Sequence, residues 1–512
     1  MPTRREFGAT ALAGLTAKAD RKLEGAFVFE APGQGVEAGH RLRDHARFAA
    51  PARRVRIPAV IVGGGVAGLS AAWHFDRRGF RDFVLLELEQ QAGGNARSGE
   101  NAVSAYPWAA HYLPVPDKRQ PLVHELCREL GLLHDDGTWD ERWLCHSPQE
   151  RLFIHGRWQE GIEPLVGLTK ADAAQYAHFE ERIAGFRLSG AFRIPMEAGL
   201  AQNTAAHRAL DGVTMGEWMR REGLYSPYLK WFIDYSTRDD YGTRAADISA
   251  WAGLHYFAAR APEEKGPLTW PEGNGWIVKR LLAKLGRYVR TGAMVHRIQR
   301  QRRGWLVFTG DTVYEADFVV YAAPTHFASW LIDPPPPRWP IDSAPWLTAN
   351  LTLDRWPANH GVEFCWDNVI YNSPSLGYVI ATHQNLNTRQ DKTVWTYYWA
   401  LADGRAADQR RILLGGDWNW WKEKILTDLE RAHPDIRRCV SRLDIFRIGH
   451  AMPRPVPGAI FHPERIARAR HQGSLVYANC DLSALSLFEE AQYRGVSAAD
   501  YVLRNASSTA TR

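Results

Sequence analysis

The chain is poor in cysteine, with five in 512 residues: Cys127, Cys145, Cys365, Cys439 and Cys480. They form no C-x-x-C pair and no metal-ligand spacing, so no metal is expected and the fold is not stapled. One disulfide stays open if the protein is exported. Beyond the N-terminus no run approaches the eighteen or more apolar residues of a membrane span, and no integral membrane segment is expected. Charge of one sign is scarce as well, the formal net charge being +6. The basic residues are scattered, as in Arg300, Arg302 and Arg303 or Arg437 and Arg438, and no basic stripe interleaved with aromatics points to nucleic acid. What remains is 45% hydrophobic and 23% charged, a globular composition long enough for two or more intertwined domains. The 21 Trp are read mostly as core, some of them lining an apolar cavity.

One stretch, Ala59 to Gly94, organises the rest. A small and β-branched run, Ala59-Val60-Ile61-Val62, leads into Gly63, Gly65 and Gly68. These open an amphipathic segment, Leu69 to Phe75, that stops near Gly79. A second apolar run, Phe83 to Leu86, ends on Glu87, nineteen residues past Gly68. Strand, glycine turn, helix, strand and acid form the context in which G-x-G-x-x-G signifies a dinucleotide site. Gly63 allows the tight turn, Gly65 lets backbone approach a pyrophosphate, and Gly68 lets helix and strand pack closely. The helix start offers unpaired N–H groups and its positive dipole end to the phosphates. Glu87 is placed to accept from a ribose 2′-hydroxyl.

Gly93-Gly94-Asn95-Ala96-Arg97-Ser98 follows directly. With it the sequence resembles the flavin-containing amine oxidoreductases, the group of monoamine and polyamine oxidases, protoporphyrinogen oxidase and carotenoid desaturases. The resemblance implies FAD as cofactor, with Gly94 continuing the cofactor path. Asn95 stands where relatives usually have Arg, and Arg97 is the candidate to supply that charge. It also implies an α/β fold, a Rossmann-like FAD-binding domain with a mixed α+β substrate (cap) domain. The implied FAD segments are 57–115, 271–333 and 446–505, and the cap segments are 116–270 and 334–445. Residues 20–56 form a lead-in and 506–512 a disordered tail. Trp270 to Gly275 resembles the turn that reintroduces the FAD domain, Val295 takes the adenine edge, and Asp317 to Pro324 returns a strand to the nucleotide sheet. Gly473 to Asp481 matches the last FAD segment loosely. Asn479 and Cys480 replace the usual glycine and acid, leaving Asp481 as the candidate ribityl or phosphate contact. Lys265 lies near the turn where oxidases of this group hold a water by a lysine, but its match is too weak to assign.

The substrate end is more open. His111 and Tyr112, after the small pair Ala109-Ala110, either face the substrate or, for His111, serve the structure. From Leu122 to about Trp270 the chain reads mostly helical. Within it Asp239 and Asp240 either bind a cationic amine or cap a helix and neutralise Arg238. His255 and Tyr256 point into a cavity or pack in the core. Trp305 to Phe308 and Val313 to Phe318 read as a hairpin, and Gly377 to Thr382 and Thr393 to Ala400 as strands. Alternation allows only some of Tyr397, Tyr398 and Trp399 to face inwards. Glu489 and Glu490 open the last helix, where a carboxylate either nears the flavin or substrate or serves the helix end.

The expected function is FAD-dependent oxidation of a small-molecule amine, polyamines included, by hydride transfer to flavin N5. The candidate catalytic residues are His111, Tyr112, Asp240 and His255. The alternatives are an FAD-dependent desaturase or isomerase of an apolar substrate, or a non-catalytic FAD-binding scaffold. The electron acceptor is oxygen, a quinone or a cytochrome. Thr3-Arg4-Arg5-Glu6-Phe7, a weakly apolar run from Gly8 and Ala17-Lys18-Ala19 read as a twin-arginine signal within 1–19. That implies the twin-arginine export machinery and a periplasmic protein, with a cytoplasmic one as the alternative.

Overall fold

The computed structural model describes residues 23–30, 35–44, 48–260, 266–386 and 390–509, the last three as backbone only. The twin-arginine stretch, the Ala17-Lys18-Ala19 site and Lys265 lie outside the described residues. In chain order come β1 (Arg53–Val62), α1 (Val66–Arg77) and β2 (Phe83–Leu86), then β3 (Glu150–Ile154) and β4 (Arg157–Glu160). Helices α2 (Pro227–Tyr241) and α3 (Ala250–Ala258) follow, then β5 (Val289–Arg290), β6 (Arg297–Arg300), β7 (Trp305–Phe308), β8 (Thr312–Tyr321) and β9 (Ile332–Asp333). Strands β10 (Ser343–Leu353), β11 (Asp367–Ile370), β12 (Gly377–Ile380), β13 (Thr393–Ala400), β14 (Val440–Pro453) and β15 (Leu475–Tyr477) precede the last helix, α4 (Phe488–Thr509).

The first sheet has eight strands in the order β9-β6-β7-β8-β1-β2-β5, with β15 beside β8. Long β8 explains the arrangement. It runs parallel to β1 throughout, while its other edge takes β7 antiparallel over Val313–Ala316 and β15 parallel over Val319–Tyr321. The hairpin and the returning strand expected from the sequence are both present. The apolar halves of β1 and β2 are buried, because α1 lies on one face of the sheet and α4 covers α1. Every residue of α1 from Ala67 to Phe75 is buried, and each large apolar side chain there contributes about 1.5–3 kcal/mol. The helices meet at glycine: a β-carbon on Gly495 would lie 2.1 Å from the Ala67 carbonyl oxygen.

The second sheet has seven strands in the order β14-β10-β13-β12-β11-β3-β4. Strands β3 and β4 fall in the stretch read as mostly helical; they are recruited by parallel pairing of β3 with β11, a contact 217 residues distant at Arg151 and Asn368. Alternation on β13 divides its aromatics as the pleat requires. Tyr397 donates to Asp428 on the outer face (3.0 Å), whereas Tyr398 turns inwards against His111. The lead-in joins this sheet as well, Glu24 and Phe27 bridging to Arg442 and Ile445 of β14, so β14 carries the cap sheet past 445. The expected disordered tail is corrected in part. With no Gly or Pro between 496 and 509 to stop it, α4 continues to Thr509. No helix among the described residues is long and apolar enough to cross a membrane.

Candidate active site

The glycine turn has the geometry of a phosphate cradle. Gly63 takes φ +105°, where a β-carbon would sit 2.8 Å from the Ala323 nitrogen. A β-carbon on Gly68 would lie 1.9 Å from the Gly63 carbonyl oxygen, so the first turn of α1 presses directly on the strand end. Gly65 is different: its backbone is extended and a β-carbon would meet only the Gly94 Cα, at 3.9 Å. The space before it is open, at the N-terminus of α1. Glu87 is buried at the end of β2 and its two oxygens accept the Gly64 N–H (2.6 Å) and the Glu89 N–H (2.8 Å). Burial raises its pKa against those two bonds.

Arg97 lies beneath this turn. Its guanidinium stacks on Phe29 and Phe446, and its Nε donates to the Gly94 carbonyl (3.0 Å). Its Nη1 is buried without a hydrogen-bond partner among the described residues. Burial lowers the Arg97 pKa, while Glu89 and Glu87 hold it up. Asn95 spans to the cap, donating to the Ala451 carbonyl at 2.7 Å. Val295 is buried against Val60, Val62 and Leu86 under the sheet. Asp481 is engaged inside the protein: its Oδ2 accepts both the N–H and the hydroxyl of Thr325, each at 2.8 Å, fixing the loop after β8. FAD fits these residues. The open front of Gly65, the N–H groups starting α1, Glu87 and the unpartnered Arg97 Nη1 are the complement a dinucleotide requires.

Across the loop at 106–112 is an aromatic chamber. The His111 ring stacks on Tyr398 (4.4 Å between centroids, 25° between planes) and stands 5.6 Å from Trp366. Tyr112 meets Trp366 edge-on at 5.8 Å. Burial lowers the His111 pKa to about 4, against a bond from Nδ1 to the Ala109 carbonyl, so the imidazole is neutral. The Tyr112 hydroxyl donates to Asp240 (3.1 Å), which faces Arg260 at 3.9 Å; Arg260 in turn pairs with Glu489 at 3.1 Å. His111, Tyr112, Asp239 and Asp240 are enclosed by protein yet each keeps part of its surface accessible, as walls of an interior space do.

Arg238 does not neutralise the two carboxylates that follow it. It turns to Asp234 one helical turn earlier (3.2 Å) and to the Pro374 carbonyl (3.1 Å). Asp239 is therefore pushed up to about 8, by burial and then by the Asp240 charge. The expectation for His255 is corrected. It is fully buried, Nε2 meets the Arg193 carbonyl at 2.7 Å and Nδ1 meets the Tyr241 hydroxyl at 3.1 Å, so both ring nitrogens are spent inside the core. Glu490 is spent likewise, accepting the Met196 N–H and the Ser483 hydroxyl, both at 2.6 Å. Sequence reasoning missed Trp366, Asp367 and Glu150, which reach the chamber only through the register of β3 on β11.

Comparison with known proteins accords with this geometry. The sequence profile of the flavin containing amine oxidoreductase family matches residues 66–503. AofH of Mycobacterium tuberculosis, assigned by name to the flavin-containing monoamine oxidases, is 28% identical over 295 residues. That alignment spans 55% of this chain and 61% of the relative's length. Putrescine oxidase bound to putrescine superposes with a TM-score of 0.67 at 15% identity, covering 88% of this chain and 100% of that one. Cyclohexylamine oxidase from Brevibacterium oxydans gives 0.66 at 13% identity, covering 88% and 99%. At such identities the two structures speak for the fold alone. The family match spans most of the chain, and the chain belongs to the flavin-containing amine oxidoreductases.

Proposed function

We propose that the protein oxidises an amine, polyamines included, by transfer of a hydride from the carbon bearing the nitrogen. FAD, when bound, supplies the hydride acceptor at N5. The observation that carries the reading is the wall of the chamber, a neutral His111–Tyr398–Trp366–Tyr112 aromatic lining beside an enclosed carboxylate, Asp240, held by the Tyr112 hydroxyl. The aromatic faces exclude water and accommodate a cation or its alkyl chain. Asp240 draws an ammonium into the chamber, and the uncharged His111 adds no repulsion.

The test is anaerobic addition of putrescine, spermidine and simple monoamines to the yellow holoenzyme. Bleaching by an amine supports the reading; flavin that no amine bleaches overturns it in favour of an apolar-substrate desaturase or a scaffold. Admitting air afterwards separates oxygen from a quinone or cytochrome as acceptor. Export to the periplasm through the twin-arginine route is part of the same proposal, and cell fractionation with an Arg4→Lys, Arg5→Lys variant tests it.

A further inference from the structure

The cap sheet carries a second group of acids that the chamber chemistry above does not use. Glu150 on β3 and Asp367 on β11 are register partners in a parallel pair, so their side chains leave the same face of the sheet side by side. Their neighbours show which face. Arg151 and Asn368, one residue on, point the other way and bond to each other at 2.6 Å. Like charges set directly opposite on neighbouring strands repel, and folded sheets avoid them. Here a third acid is added: Asp239, from the last turn of α2, lies within electrostatic reach of both. Among the described residues none of the three has an ion pair, since Arg238 goes to Asp234 and Arg260 to Asp240 and Glu489, and Asp367 is met by the Asn368 backbone N–H.

A second feature points into the same space. Tyr398 is 3% exposed, and its hydroxyl is buried with no hydrogen-bond partner among the described residues. The Thr396 hydroxyl, on the same face of β13, is given to Asn350 at 2.7 Å. The phenol feels the charges of Asp367 and Asp239, while its ring forms the wall shared with His111. A buried donor without an acceptor beside three carboxylates without a cation describes a place prepared for something absent from the polypeptide.

We propose that Glu150, Asp367 and Asp239, with the Tyr398 hydroxyl, form a second cation subsite that holds the distal ammonium of a substrate carrying two or more positive charges. The inference rests on the amine reading of the chamber and deepens it. Asp240, already shared by Tyr112 and Arg260, serves the chamber. The unpaired trio selects di- and polyamines over monoamines of equal length, because a second cation offsets the repulsion among its ionised carboxylates. Tyr235, another phenol within reach of the trio, contributes no positive charge.

The experiment compares 1,4-diaminobutane with n-butylamine on the FAD-loaded enzyme, each titrated by perturbation of the flavin bands, which needs no turnover. In the wild type the diamine binds at least about tenfold more tightly than the monoamine. In Asp367→Asn and, separately, Glu150→Gln, the ratio of the two dissociation constants falls about tenfold, toward one. No preference in the wild type, or a preference kept in both variants, overturns the subsite. A variant that weakens both ligands in the same proportion also overturns it, since that marks a structural role. Failure of every amine to bleach the flavin sinks the amine-oxidation reading alone, because the binding ratio is read without reduction.

Discussion

Gly68 and Gly63 touch: a β-carbon at 68 would stand 1.9 Å from the carbonyl oxygen at 63, closer than packed atoms come. Gly65, between them, has no such neighbour and a backbone conformation that alanine shares. The two glycines therefore have separable roles, one for the fold and one for the cofactor. Gly68→Ala is expected to destabilise the FAD-free protein by about 1–3 kcal/mol or more, through a forced shift of α1 from β1. Gly65→Ala is expected to leave the FAD-free melting temperature unchanged or slightly raised, yet to weaken FAD binding at least about tenfold. Thermal melts of the stripped protein and FAD titration by fluorescence quenching check both. Equal behaviour of the two variants in both assays would refute the division.

The hydroxyl of Tyr112 donates to Asp240 at 3.1 Å. A hydrogen bond to an ionised group is worth about 1.5–3 kcal/mol, so Tyr112→Phe should lower kcat/KM for the preferred amine roughly ten- to hundredfold. The loss has a direction in pH as well. The Tyr112 bond holds the Asp240 pKa down against burial, and without it the carboxyl protonates at higher pH. The acid limb of the kcat/KM profile should therefore move upward in the variant. A uniform drop with no movement of that limb would assign Tyr112 to packing only.

The nucleotide-binding unit was legible because its signals are local. Ala59 to Glu87 places two strands, a turn and a helix within thirty residues, and β8 announces itself by an unbroken apolar run ending in Ala-Ala-Pro. The chamber was legible only where it borrows local chemistry, in His111, Tyr112 and the Asp239–Asp240 pair. Glu150 and Asp367 were not, since nothing near either residue encodes the parallel register that joins them. For His255 the sequence leaves a cavity and the core both open, and its small-residue helix α3 packs it in the core. Asp481 shows a third limit: it lies in a short helical turn, Cys480–Ser483, and only the seating of that turn against the loop after β8 brings its carboxylate to Thr325.

His255 then makes a clean contrast with the chamber residues. Its imidazole satisfies the Arg193 carbonyl and the Tyr241 hydroxyl and stacks on Trp251 at 5.2 Å. Replacing it with alanine opens a cavity and orphans two buried polar groups, a loss of about 2–4 kcal/mol. Turnover per FAD-loaded molecule should stay within about twofold of wild type, a difference small against the tenfold steps that mark catalytic groups. Calorimetric melting with flavin-normalised turnover checks this, and a collapse of turnover in stable protein would return His255 to the site.

Asp239 gives the pH dependence of the ligand-free fold a definite sign. Its carboxyl has an ordinary pKa of 3.8 and is pushed up to about 8 in the folded protein, burial being the first cause and the Asp240 charge the second. Arg238 pulls the value down and Glu150 pushes it further up. Between about pH 4 and pH 8 the folded state keeps a proton that the unfolded chain has released. The contribution of this group is thus fully present below pH 4 and is lost as pH rises through 8. Denaturant melts from pH 5 to 9 should show stability falling with pH over that window, and Asp239→Asn should flatten the slope. A bound dication reverses the balance by favouring the ionised carboxylates, so putrescine should stabilise the wild type more at pH 8 than at pH 6 and do so far less in the variant. An equal stabilisation at both pH values would mean that the cation does not meet Asp239.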